Sequence, residues 1–251
     1  MPDRQLRVLA LYPELMNIYA DRGNLLLLER RCAWRGISFS LQSATLGDPL
    51  DPAAADLYYI GGGQDRDQRL CAYDLAEHKR QALHEVAQRG GVILAVCGGY
   101  QLLGHSYQLG DETLPGAGLL DLHTVRAEDG AGRRRPARLI GNVAIEVELE
   151  RVDGPRVLAG FENHGGRTYL GSVGALGKVI HGYGNNGEDG LEGARAGAVI
   201  GTYLHGPLLP KNVWFADWLI EAALRLEEPL APLDDELEQL AHAAARRAAG
   251  V

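Results

Sequence analysis

Cysteine is scarce in this chain. Three among 251 residues, at Cys32, Cys71 and Cys97, form an odd set without paired spacing, which excludes a disulfide framework and points to a reducing compartment. The opening Met1-Pro2-Asp3-Arg4-Gln5 lacks the apolar segment of a secretion signal. No apolar run is long enough to span a bilayer, so a cytoplasmic protein is expected. An excess of positive charge is absent too. The 25 Lys and Arg stand against 33 Asp and Glu, a net charge of −8, which disfavours nucleic acid or an anionic membrane as partner. The basic cluster Arg133-Arg134-Arg135, after Gly130-Ala131-Gly132, is short and reads as a solvated loop. There is no His-Glu-x-x-His, no paired Cys-x-x-Cys and no Gly-x-x-x-x-Gly-Lys-Ser/Thr, so neither a metal site nor a Walker phosphate loop is expected. Internal repeats are also missing.

The remaining composition is that of a globular protein, 46% hydrophobic, long enough for one large α/β domain or two small ones. Residues 6–12 read as a first buried strand and residues 24–35 as a helix stopped by Gly36. Strands follow at 37–42 and 56–60, the second ended by Gly61-Gly62-Gly63. A helix is predicted over 74–89, with Leu75, Ala76, Leu83 and Val86 near helical spacing and Gly90-Gly91 as its stop. This alternation predicts an α/β fold with a doubly wound, mostly parallel sheet. The second half is richer in strand signals, at 139–149, 157–161, 177–182 and 198–204, with a turn at Asn185-Asn186-Gly187. An amphipathic helix carrying Trp214, Phe215 and Trp218 spans 212–226. Pro229 and Pro232 then break the chain, so residues 1–228 are expected to form one domain and 229–251 a helical tail.

The most informative segment is Gly90-Gly91-Val92-Ile93-Leu94-Ala95-Val96-Cys97-Gly98-Gly99-Tyr100-Gln101. An apolar run of strand length ends in a cysteine. The glycines after it permit a turn that a Cβ would obstruct, ahead of a helix-compatible stretch at 100–105. A side chain at such a turn is pushed off the carboxyl edge of the sheet beside a helix N-terminus, where free N–H groups favour a thiolate. This is the layout of a nucleophile elbow with sulfur in place of serine oxygen. Cys32, in a helical stretch, and Cys71, in a polar segment ahead of a helix, have no adjacent glycines and read as structural.

A thiol nucleophile needs a base, and histidine titrates in the right range. Of the eight histidines, His78, His84 and His242 fall in polar helical stretches, while His105, His123 and His181 have no distinguishing context. His205 follows the apolar run 198–204 and would leave the sheet at its carboxyl edge, where sites in open α/β sheets form. His164, in a polar run after a strand, is the second candidate. Gly61-Gly62-Gly63-Gln64 exposes backbone N–H groups at a strand end, suited to an oxyanion; a plain flexible turn is the alternative. Together these features predict acyl transfer through a thioester.

Val96-Cys97-Gly98-Gly99-Tyr100-Gln101 resembles the elbow of class I glutamine amidotransferases, and most closely their cobyric-acid-synthase-like branch. Four longer runs narrow the likeness: Phe161-Glu162-Asn163-His164-Gly165-Gly166-Arg167-Thr168-Tyr169, His181-Gly182-Tyr183-Gly184-Asn185-Asn186, Gly201-Thr202-Tyr203-Leu204-His205-Gly206-Pro207 and Arg138-Leu139-Ile140-Gly141-Asn142. These resemble the family of glutaminase subunits of lipid II isoglutaminyl synthases, over residues 6–226. The resemblance implies hydrolysis of glutamine to glutamate and ammonia. It implies a heterodimer with a Mur-ligase-like partner that holds ATP and magnesium and amidates the D-glutamate α-carboxyl of lipid II, with no cofactor in this chain. By position it makes Cys97 the nucleophile and His205 the general base and acid. Gly62, Gly63 and Gly98 become the oxyanion hole. Arg138 becomes the substrate-binding arginine, a role that a guanidinium fork on an α-carboxylate suits. One departure stands out. Class I triads carry an acid two positions after the histidine, and here Gly206-Pro207 follow. An aspartate from the partner is the expected substitute, with Asp21 as an alternative in the same chain. The rival readings are a cobyric acid or cobyrinate amidotransferase, disfavoured because those carry a synthetase domain upstream, an inactive regulatory subunit, and a stand-alone thiol hydrolase.

Overall fold

The computed structural model describes residues 4–17, 22–127 and 137–251; Asp21, Arg133, Arg134 and Arg135 lie outside them. The chain opens with β1 (Gln5–Leu11), α1 (Arg22–Ala33), β2 (Ser38–Ala44) and β3 (Leu57–Ile60). Then come α2 (Asp65–Asp74), a π-helical turn (Leu75–Lys79), α3 (Arg80–Gln88), β4 (Val92–Val96) and α4 (Gly98–Leu103). All residues of β3 and β4 are buried, which is why they read as unbroken apolar runs: a parallel strand covered on both faces has no polar side to show.

Short strands follow: β5 (Ser106–Leu109), β6 (Glu112–Pro115), β7 (Leu122–Arg126), β8 (Leu139–Val147), β9 (Arg156–His164), β10 (Gly166–Leu170), β11 (Gly177–His181), β12 (Leu191–Glu192), β13 (Ala194–Ala196) and β14 (Val199–Thr202). The chain closes with α5 (Leu208–Lys211), α6 (Val213–Leu224) and α7 (Glu236–Ala248).

The main sheet has the order β13-β14-β4-β3-β1-β2. Every neighbouring pair is parallel except the edge pair β13/β14. The chain moves outward from β1 to β2, then returns and moves the other way from β3 to β4. Because such crossovers are right-handed, the helices lie on both faces: α1 and α6 meet on one, while α3 packs on β4 from the other. The fold is therefore doubly wound, with its switch point between β1 and β3. Two four-stranded sheets flank it, β10-β7-β5-β6 and the antiparallel β12-β11-β8-β9.

Several elements differ from the sequence reading. Residues 65–88 form one helical stretch rather than a helix starting at 74, so Cys71 lies inside α2 and is fully buried. Helix α4 stops at Leu103, where Gly104 turns the chain into β5. Strand β9 runs through to His164, because Leu139 to Val147 pair with it along its whole length; His164 therefore ends a strand instead of following one. The tail is tied down by an ion pair from Arg31 to Asp235, by His242 on the Lys211 carbonyl, and by Asn142 on the Ala248 carbonyl.

Candidate active site

Four adjacent parallel strands end together at one edge. Tyr12 follows β1, Gly61-Gly62-Gly63 follows β3, Cys97 follows β4 and Tyr203-Leu204-His205 follows β14. Cys97 is 6% exposed. It has φ 50° and ψ −105°, a conformation side chains rarely adopt. The strained backbone is held at both ends: its N–H donates to the Thr202 carbonyl at 2.8 Å and its carbonyl accepts from the Gln101 N–H at 3.0 Å. Thr202 stands in register with Val96, so Cys97 and His205 leave neighbouring strands at the same edge. His205 is buried. Its N–H donates to the Phe161 carbonyl at 2.8 Å and its own carbonyl accepts from the Phe161 N–H at 3.3 Å. The backbone of the histidine is thus clamped to β9.

The glycine loop closes directly on the elbow. The Gly99 N–H donates to the Gly61 carbonyl at 3.1 Å. A Cβ at Gly99 would fall 2.7 Å from the Ile60 carbonyl oxygen, and one at Gly98 would fall 3.0 Å from the Gly63 nitrogen. Only glycine lets the two backbones approach this closely. Gly63 is in turn backed by Met16, whose sulfur occupies the space a Gly63 side chain would need.

Arg138 is exposed and precedes β8. Its guanidinium donates to the side-chain oxygen of Asn163 and, at 3.1 Å, to the Asn163 carbonyl. Tyr107 is buried. Burial, reinforced by Asp65 and by the Cys97 thiol, pushes that phenol up to about 12 against Arg126 and Arg138. Arg167 is buried and donates to the carbonyls of Gly165, Gly166 and Ala137, fixing the turn between β9 and β10.

His164 lies flat on the Tyr203 ring, centroids 3.6 Å apart at 6°. Its Nδ1 donates to the Gly166 carbonyl at 2.9 Å. Its Nε2 lies 3.5 Å from Glu162 Oε2. Burial moves the imidazole below its ordinary range, opposed by Glu162.

Sequence reasoning missed the polar chain beneath the elbow. Gln68 donates to the Gly98 carbonyl at 3.2 Å and to Gln101 Oε1 at 2.7 Å; Gln101 donates to the Tyr203 hydroxyl at 3.0 Å. That hydroxyl meets Thr168 Oγ1 at 2.7 Å, and Thr168 meets Thr124 at 2.7 Å. Glu192, fully buried, accepts from the Tyr203 N–H at 2.6 Å and from the Thr202 hydroxyl at 3.1 Å. Burial pushes its carboxyl up to about 8 despite those donors. These residues sit on distant segments, and only the register of strands brings them together. Cys32 and Cys71 are buried, and burial pushes each thiol up to about 12, which suits inert side chains. A strained strand-end thiol, a strand-end imidazole on the neighbouring strand and a glycine loop packed on the elbow are the kinds of group that nucleophilic attack, proton transfer and oxyanion stabilisation call for.

Comparison with known proteins agrees with this architecture. Residues 7–213 match the CobB/CobQ-like glutamine amidotransferase domain. The chain is 38% identical over 238 residues to the lipid II isoglutaminyl synthase (glutamine-hydrolyzing) subunit GatD of Staphylococcus aureus, covering 93% of this chain and 92% of that one. It is 36% identical to the subunit of the same name from Streptococcus pneumoniae, covering 88% and 81%. A cobyric acid synthase from Pelotomaculum thermopropionicum is 36% identical, but the match covers only 31% of that protein. Among solved structures, PurLQS from Thermotoga maritima superposes with a TM-score of 0.61 at 18% identity, covering 89% of this chain and 99% of that one, a likeness of fold. The family match spans most of the chain, and the chain belongs to the CobB/CobQ-like glutamine amidotransferases.

Proposed function

We propose that this chain is the glutaminase subunit of a lipid II isoglutaminyl synthase. The observation that carries the reading is the near end-to-end match to two subunits of that name, where the cobyric acid synthases match over less than half their length. Cys97 attacks the side-chain amide of glutamine and forms a thioester, and His205 takes the thiol proton and delivers it to the departing ammonia. Water, activated by the same imidazole, then releases glutamate. The N–H groups of Gly62, Gly63 and Gly98 hold the oxyanion. Arg138 grips the substrate α-carboxylate, and its bond to Asn163 sets its direction.

The ammonia passes to a Mur-ligase-like partner that binds ATP and magnesium and amidates the D-glutamate α-carboxyl of lipid II, in the cytoplasm. Among the described residues no helix is long and apolar enough to cross a membrane. An aspartate of the partner supplies the acid that Gly206-Pro207 replace, and orients His205. The test is to mix this chain, the partner, ATP, glutamine labelled at its amide nitrogen and lipid II. Label is expected in the isoglutamine amide. Label in a corrinoid substrate instead, with none in lipid II, would refute the reading.

A further inference from the structure

A buried charged cluster includes Tyr12, which follows β1 at the same sheet edge as the glycine loop after β3. Asp74, Lys79 and Tyr12 are 8%, 0% and 0% exposed. The Lys79 ammonium donates to Asp74 Oδ2, and the Tyr12 hydroxyl donates to the same oxygen at 2.7 Å. The other oxygen accepts from the Gly47 N–H at 2.7 Å. Lys79 also lies 5.2 Å from the centre of the Tyr12 ring. Burial alone would raise Asp74, but these three donors hold it below its ordinary range.

A buried ion pair adds little stability over apolar side chains of the same shape, so another reason for it must be sought. Two irregularities converge on this one. Lys79 closes a π-helical turn between α2 and α3, a distortion that tends to mark functional segments. Tyr12 has φ 53°, a strained value for an aromatic residue, of the kind that collects where geometry matters. The Tyr12 carbonyl accepts from the N–H groups of Leu15, at 3.0 Å, and Met16, at 2.8 Å. That turn carries Met16 onto the loop. The Met16 sulfur fills the space beside Gly63, and its methyl lies 3.2 Å from where a Gly98 Cβ would stand. Methionine is flexible, so its position depends on the turn beneath it.

We propose that Asp74, Lys79 and Tyr12 are positioning residues for the oxyanion loop. They lock the turn at residues 12–16, and Met16 then holds the N–H groups of Gly63 and Gly98 at their working separation. The proposal rests on the reading of Cys97 as a glutaminase nucleophile. Three variants test it: Tyr12→Phe, which removes one hydroxyl, Met16→Ala, and the charge-neutral pair Asp74→Asn with Lys79→Met. Each is assayed with the partner present for kcat and KM of glutamine hydrolysis, and for alkylation of Cys97 by iodoacetamide, which forms no oxyanion. Circular dichroism checks the fold. Met16→Ala and the pair are expected to lower kcat by about tenfold or more, part of the loss seen when an oxyanion donor is removed, with KM and alkylation unchanged. Tyr12→Phe should fall between them and the native chain, and it decides the matter with Met16→Ala if the pair fails to fold. Native-like kcat in folded variants overturns the proposal, as does an equal loss in alkylation, which would mean general disorder of the elbow. A native chain that releases no ammonia would instead overturn the glutaminase reading itself.

Discussion

Gly98 shows how little room the elbow leaves. A Cβ there meets the Gly63 nitrogen at 3.0 Å, although alanine suits a helix better than glycine. Gly98→Ala is therefore expected to fold normally and yet lose kcat by roughly tenfold or more, through displacement of the oxyanion donors. Steady-state kinetics beside a thermal melt would check both halves. Glu192 gives a pH signature. Its carboxyl has an ordinary value of 4.5 and lies near 8 in the fold, chiefly because it is buried. Between those values the folded chain binds a proton that the unfolded chain does not. The stabilisation is complete below about pH 4.5 and is lost as pH rises through about 8. Glu192→Gln has no proton to lose, so its melting temperature should fall less than that of the native chain between pH 6 and 9. Parallel slopes would contradict the burial argument.

Strand and helix meet closely between β14 and α4. A Cβ on Gly201 would run into the Tyr100 ring, and Tyr100 is fully buried with its hydroxyl donating to Asn185 Oδ1 at 3.1 Å. Gly201→Ala should cost about 1–3 kcal/mol by overpacking, read as a lowered denaturation midpoint. The elements that a sequence announces are the ones whose burial is continuous. Val92 to Val96 are all buried and all apolar, so strand, turn and cysteine could be read directly. Helix α2 could not, because its buried face is Gln68, Cys71, Ala72 and Asp74, two of which, Gln68 and Asp74, look like surface or loop residues until their partners are known. The end of strand β9 is hidden for the same reason: Glu162 and His164 are polar, yet Glu162 accepts from the Tyr183 and Gly184 N–H groups and His164 Nδ1 donates to the Gly166 carbonyl. The hairpin of β5 and β6 has four residues in each strand, too few to show an alternating pattern.

Across the whole molecule, Arg31 joins parts far apart in sequence. Fully buried, its guanidinium donates to both oxygens of Asp217, at 2.5 and 2.7 Å, and of Asp235, at 2.7 and 2.9 Å. Arg31→Ala leaves Asp217 to Arg35 alone, at 2.7 Å, and takes from Asp235 the guanidinium that binds it. With both carboxylates partly exposed, it should destabilise the chain by about 1–3 kcal/mol, below the cost of breaking a fully buried pair, with kcat of the folded fraction unchanged because the site lies elsewhere. No local pattern marks such a residue, since its partners come from α6 and the segment before α7. The doubly wound, mostly parallel sheet was legible because alternation of strand and helix, with right-handed crossovers, leaves few topologies. The polar chain from Gln68 to Thr124 was not, because it depends on strand register across two sheets. The thiol at the end of β4 is the group on which glutamine hydrolysis would depend. The most direct test is ammonia release from glutamine by the native chain, Cys97→Ala and His205→Ala, each with and without the ATP-binding partner. Loss of release in both variants, with strong dependence of the native chain on its partner, is the predicted result. Release that survives Cys97→Ala would contradict it.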